Sequence, residues 1–232
     1  MQKDLRGSTL YRERFEIGSV LGSVFTVLLA ALCLFVLWTS MWWRRTFSGV
    51  QVSGSSMYQT LDSGDWLLMK QVQNGEGFTY GDVIVIHVAD YDEVKKYNEG
   101  KSEAAQLQYL IKRVIALEGD TVKCINEQLY IRYAGTEEFV KLDEPYAYYG
   151  RQSEIYDFDG HSYTVGEGEV FFLGDNRENS CDSRYQEYSG SHLDGRLYKA
   201  EDVIGVVPQW AIAYKDRLET IFFWKQLRGA KR

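Results

Sequence analysis

With 232 residues, the chain is long enough for one membrane segment and one folded domain with a sizeable core. It is 45% apolar and 15% aromatic, which argues against wholesale disorder. Its net charge is −7 and its folded part has no cluster of basic residues, which argues against a nucleic-acid partner, because neutralising phosphates takes grouped Lys and Arg.

Residues 1–16 carry Lys3, Arg6, Arg12 and Arg14 against Asp4, Glu13 and Glu16. From Ile17 to Trp43 no residue is charged, and Arg44 and Arg45 end the run. About 20 apolar residues cross a bilayer core, so residues 17–43 are expected to form a transmembrane anchor. Trp38, Trp42 and Trp43 near one end, with Tyr11 and Phe15 near the other, suit the membrane interfaces. A cleaved signal peptide has a shorter apolar region, about 7–15 residues, and a small-x-small end, which this run lacks. Four basic residues precede the run and two follow it, a bias that places the N-terminus in the cytoplasm and the rest of the chain outside.

Beyond the anchor the pattern becomes that of a mainly β domain over residues 48–213. The runs Trp66–Met69, Val83–Val88, Leu110–Leu117, Val122–Ile125, Leu129–Tyr133, Val170–Leu173 and Val203–Val207 have strand length and are rich in branched or aromatic residues. Gly64-Asp65, Gly81-Asp82, Gly119-Asp120 and Gly174-Asp175 punctuate them as turns. Residues 90–106 are expected to be a solvated loop or short helix. Residues 126–165, rich in tyrosine and turn formers, are expected to form a smaller β subdomain or insertion. Residues 214–232 form a basic tail, with a short amphipathic helix expected over 214–227.

Three stretches carry chemistry. Lys112 lies in the apolar run Tyr109–Leu117, where alternation puts it on one strand face with Leu110, Val114 and Ala116. Burial there would desolvate the amine, lower its pKa and make it a general base; at an exposed edge its head would stay in water. Ser56 follows the anchor in Ser53-Gly-Ser-Ser-Met57, where a glycine-serine turn can offer a nucleophile and a backbone N–H, or simply act as a linker. The stretch from Gly174 to Arg184, Gly-Asp-Asn-Arg-Glu-Asn-Ser-Cys-Asp-Ser-Arg, is dense in hydrogen-bonding side chains and by itself also reads as an Asx-type turn or a calcium loop. His87, His161 and His192 sit outside any nucleophile motif. Cys33 falls in the anchor, and Cys124 and Cys181 are expected as isolated thiols, able to pair only in an oxidising space.

Taken together, an anchor, Ser53-Gly-Ser-Ser-Met-x-x-Thr-Leu61, a strand with Lys112-Arg113, and Gly174-Asp-Asn-Arg-x-Asn-Ser-x-Asp-Ser-Arg184 resemble the bacterial type I signal peptidases (leader peptidases). The resemblance implies a single transmembrane helix followed by a β-rich catalytic domain with a smaller β subdomain. It implies Ser56 as nucleophile, Lys112 as general base, Ser180 orienting the lysine amine, and Asp182 with Arg184 bracing the site. It further implies removal of signal peptides from secreted precursors after small-x-small sites, at the outer face of the cell membrane, alongside the secretion machinery and without cofactor or metal. Gly54, whose backbone would lie near the oxyanion hole, stands where some members have a serine; glycine there fits the single-anchor Gram-positive branch. Gln59 and Glu118 stand where the family usually has proline, which leads us to expect altered rigidity in two turns. A membrane-anchored β domain that binds partners without catalysis, and a self-cleaving Ser/Lys repressor, are the competing readings; the latter needs a DNA-binding segment where the anchor lies. Met57, Tyr58, Trp66 and Ile221–Trp224 are candidates for contact with lipid beside the site.

Overall fold

The computed structural model describes residues 6–126, 128–149, 162–184, 198–215 and 217. It divides into two compact units, residues 1–46 and 47–232. In the first, helix α1 runs unbroken from Arg6 to Thr46. Within it the span Val20–Thr46 has a mean hydropathy of 2.7 and is long and apolar enough to cross a membrane, at about 40 Å of helix. Leu21, Phe25, Leu28, Leu32 and Phe35 are all exposed, which apolar side chains of this size avoid in water. The helix extends beyond the uncharged run at both ends, because arginine is itself a good helix former. Arg44 and Arg45 also sit in its last turn, where the helix dipole favours positive charge.

The second unit is mainly β. Its strands are β1 (Phe47–Gln51), β2 (Trp66–Gln71), β3 (Val83–His87), β4 (Tyr109–Leu117), β5 (Thr121–Ile125) and β6 (Gln128–Arg132). They continue with β7 (Val140–Lys141), β8 (Ser162–Thr164), β9 (Glu169–Leu173), β10 (Tyr198–Lys199) and β11 (Val203–Val207). A seven-stranded sheet has the order β1-β2-β11-β3-β4-β9-β10, and a four-stranded sheet the order β7-β6-β5-β8. Every apolar run expected to be a strand forms one. β7, β8 and β10 are too short, and β1 (with Ser48 and Gly49) too weakly patterned, to stand out from the sequence. Residues 90–106 hold a short helix, α2 (Asp92–Asn98), and α3 (Gln209–Ala213) follows the last strand. The expected helix over 214–227 lies almost entirely outside the described residues.

The continuous apolar runs have a physical cause: the central strands β3, β4 and β9 of the large sheet are buried on both faces. Along β3, Ile84 and Ile86 enter one core with Leu110, Val114 and Phe172. Val83 and Val85 enter another with Met57, Leu61, Leu67 and Val207. Along β9, Val170 and Phe172 join the first core, whereas Phe171 and Leu173 join a third with Ile115, Val122 and Ile131. At roughly 1.5–3 kcal/mol per fully buried aliphatic or aromatic side chain, these alternating sets are what fix the register of the central strands.

Two details differ from the sequence reading. The β4–β9 register shifts between Val114 and Ala116. This irregularity breaks the alternation, so Ala116 packs in the third core while Leu110 and Val114 stay in the first; Lys112 therefore does not share one continuous face with all three. The smaller sheet also begins at Thr121 rather than near residue 126, because β5 pairs along its whole length with β6. Asn126 makes that hairpin connection with a φ of 49°, a left-handed conformation asparagine tolerates well.

Candidate active site

Ser56 is carried on the long connection between β1 and β2. The connection closes on itself through Val52 N–H to Asp65 O (2.9 Å) and Gly64 N–H to Val52 O (2.9 Å). Between these ties, Tyr58 N–H bonds Ser55 O at 3.0 Å and Leu61 N–H bonds Met57 O at 2.8 Å, making a tight turn. Met57 and Leu61 are buried, so the turn is fastened to the core on both sides of the residues it exposes. Met57 is only 1% exposed and packs with Leu61, Val83 and Val85, which removes it from the candidates for lipid contact. Tyr58 is exposed, Trp66 is half-buried, and Ile221–Trp224 lie outside the described residues.

Lys112 comes from β4, directly opposite Ile84 of β3. It is 2% exposed. Its Nζ lies 2.8 Å from Ser56 Oγ and donates to Ile111 O at 3.0 Å. Burial pushes the amine down from 10.5 to about 8. The Asp182 carboxylate works against that shift, and Arg184 reinforces it. A lysine in this setting loses its proton far more readily than one in water.

The stretch after β9 wraps around both groups. Asp182 is buried and takes a two-pronged bond from Arg184, at 2.8 Å from Nε and 2.9 Å from Nη2. It also accepts the Gly174 N–H at 3.0 Å. Burial alone would raise this carboxyl, but the charge and bonds of Arg184, the Gly174 N–H and the Ser180 hydroxyl overcome it and hold it below the usual carboxylate range. Arg184 Nη1 donates to Arg177 O at 3.0 Å. Ser180 is buried, and Cys181 beside it is exposed, whereas Cys124 is buried in the third core.

Several partners here were not singled out from the sequence. Asp175 binds Arg113 through Nε (2.8 Å) and Nη2 (2.5 Å), and also accepts the Thr60 hydroxyl at 2.5 Å. Asn176 N–H donates to Ser56 O at 3.0 Å and its side chain to Ser55 O at 2.9 Å, while Asn179 reaches Ser55 Oγ at 3.0 Å. Arg177, 2% exposed, is paired with Glu144 at 2.6 and 3.1 Å. Burial would lower the Arg177 guanidinium, but Glu144 more than compensates and raises it. The dense run of Asp, Asn and Arg after Gly174 was the available signal for most of these. Nothing in the sequence pointed to Glu144, which sits in the turn-rich stretch before Tyr146.

The positions that depart from the resembling family have structural roles of their own. Gln59 has a φ of 75°, which proline cannot adopt. Gly54 has a φ of 90°; a Cβ there would meet nothing within 4 Å, so the backbone angle rather than space favours glycine. Its N–H is bound by Ser63 Oγ at 3.2 Å. Glu118 accepts the Gly168 N–H at 2.9 Å and ties the turn after β4 to the turn before β9, a link proline does not supply. Among the described residues, the Ser56 N–H donates to no protein acceptor, leaving it available to a developing oxyanion.

A family model described as signal peptidase, peptidase S26, matches residues 21–211. Among curated proteins, signal peptidase I U of Bacillus subtilis (strain 168) is 36% identical over 138 residues, which are 57% of this chain and 63% of that protein. Signal peptidase I P of Bacillus subtilis subsp. natto is 26% identical over 197 residues, 84% of this chain and 90% of that protein. The chain thus spans less than two thirds of the first of these relatives. A solved signal peptidase I from Enterococcus faecalis V583 is 22% identical and covers 57% of this chain and 98% of that one, at a TM-score of 0.33.

Proposed function

The chain belongs to the signal peptidase, peptidase S26 family, and from that premise we propose that it is a membrane-bound serine endopeptidase that removes signal peptides from secreted precursors. The observation that carries this reading is the 2.8 Å approach of a buried, easily deprotonated Lys112 to Ser56 Oγ. Neutral Lys112 takes the hydroxyl proton as Ser56 Oγ attacks the scissile carbonyl, and the C–O bond forms as the carbonyl electrons move onto oxygen. The Ser56 N–H meets that oxyanion. Collapse of the intermediate breaks the C–N bond, and the leaving amine takes the proton back from Lys112. Water, deprotonated by Lys112, then hydrolyses the acyl-enzyme ester and frees Ser56.

Ser180, Asp182 and Arg184 set the surroundings of the base rather than reacting. Helix α1 anchors the domain at the membrane, and the excess of basic residues before its apolar span orients the N-terminus to the cytoplasm and the catalytic domain outward. The substrates are precursor chains held at that surface by their own apolar segments, with small residues at the first and third positions before the cut.

The test is cleavage of a membrane-targeted precursor with an Ala-x-Ala site by the purified full chain in lipid or detergent, compared with Ser56→Ala and Lys112→Ala. Wild type cuts and both variants are inactive. Activity surviving in Ser56→Ala would remove this serine from the reaction. A folded wild type that leaves the precursor intact would remove the function.

A further inference from the structure

Resting on the Ser56–Lys112 reading, we propose that Thr60 is a positioning residue that holds the nucleophile turn at its working distance from the base. Ser56 lies on a connection outside the sheet, and Lys112 lies within β4. Their relative position must therefore be fixed by contacts between the turn and the strand. Next to Lys112, Arg113 grips Asp175 with two bonds of 2.8 and 2.5 Å, and its remaining nitrogen donates to Gly81 O at 2.7 Å. Asp175 is 0% exposed and so has no water to move into. The Thr60 hydroxyl donates to the same carboxylate at 2.5 Å. Thr60 in turn belongs to the Ser56 turn, with its N–H on Met57 O at 3.0 Å. The path from nucleophile to base thus runs Ser56, Met57, Thr60, Asp175, Arg113, Lys112.

Asn176 N–H on Ser56 O and Asn176 Nδ2 on Ser55 O hold the same turn from the motif side. Those bonds tie the turn to the stretch after β9. The Thr60 hydroxyl is the tie that reaches the ion pair anchored beside Lys112. Removing it leaves the Arg113–Asp175 pair complete, so Asp175 keeps its countercharge and the core of the fold is untouched. What is lost is the lateral constraint on Ser56, and small displacements of reacting groups cost rate steeply.

The experiment compares wild type with Thr60→Val, which keeps the shape without the hydroxyl, and Thr60→Ser, which keeps the hydroxyl. Steady-state cleavage of the Ala-x-Ala precursor is measured from pH 6 to 10, with thermal unfolding of each protein. Thr60→Val is expected to lose about tenfold to a hundredfold in kcat with KM within about twofold. Its activity should still rise through the same pH range, because the surroundings of Lys112 are unchanged. Thr60→Ser should regain most of the rate. Thr60 is only half-buried, and Thr60→Ala serves in the same comparison where Thr60→Val does not fold. Wild-type kcat in a folded Thr60→Val or Thr60→Ala, or a loss that Thr60→Ser fails to restore, overturns the positioning role while the Ser56→Ala result still stands. Undiminished cleavage by Ser56→Ala overturns both.

Discussion

Gly174 lies so close to Ser180 that no side chain fits between them. A Cβ at position 174 would fall onto both Ser180 Oγ and the Ser56 carbonyl oxygen. The glycine is thus the point where the motif after β9 and the turn that carries Ser56 meet. Gly174→Ala is expected to destabilise the fold by about 1–3 kcal/mol, because backbone on one side cannot give way, and to cut kcat at least tenfold. Denaturant unfolding and the precursor assay measure both effects. Wild-type stability and rate together would mean that the turn is not held as tightly as this packing requires.

Lys112 sets a pH dependence with a definite sign. On the proposed Ser56–Lys112 mechanism catalysis needs the neutral amine, so kcat/KM should rise with pH and level off above about 8, the value to which burial lowers this lysine. A flat profile between pH 6 and 9 would speak against lysine as base.

The same burial affects stability. Between pH about 8 and 10.5 the unfolded chain holds a proton on Lys112 that the folded chain has released, so stability rises with pH across that window. Below the window the folded protein carries a buried ammonium, at a cost on the order of 3 kcal/mol. Lys112→Met, of similar length and uncharged, should therefore be inactive yet melt higher than wild type at pH 7, with the gap narrowing towards pH 10. An equal gap at both values would show that the amine is already well solvated.

Gln59 tests the first departure from the resembling family. Its φ of 75° suits glycine and excludes proline. Gln59→Gly should stabilise the protein by up to about 1 kcal/mol through relief of the left-handed strain. Gln59→Pro, although it restores the usual family residue, should lower stability by more than about 1 kcal/mol and reduce kcat. A Gln59→Pro variant that melts at or above wild type would mean the turn readily adopts a second backbone path.

The sequence by itself determined the anchor and the long strands. An uncharged span from Ile17 to Trp43 and apolar runs such as Val83–Val88 carry their signal locally, in residue type and spacing. It also held the three stretches that bear Ser56, Lys112 and Asp182, although each alone had an ordinary reading. Tertiary structure decided what they become. Whether Lys112 was an exposed edge residue or a buried, desolvated amine depended on its place in β4 between β3 and β9, and strand alternation cannot report which strands flank it. The register shift that separates Ala116 from Leu110 and Val114 depends on pairing with β9, more than fifty positions away in the chain. The contacts of Thr60 with Asp175, and of Arg177 with Glu144, join residues whose separation in sequence hides their proximity. A hydrogen bond forms over about 3 Å and leaves no periodicity in the chain, so only the fold could bring those partners together.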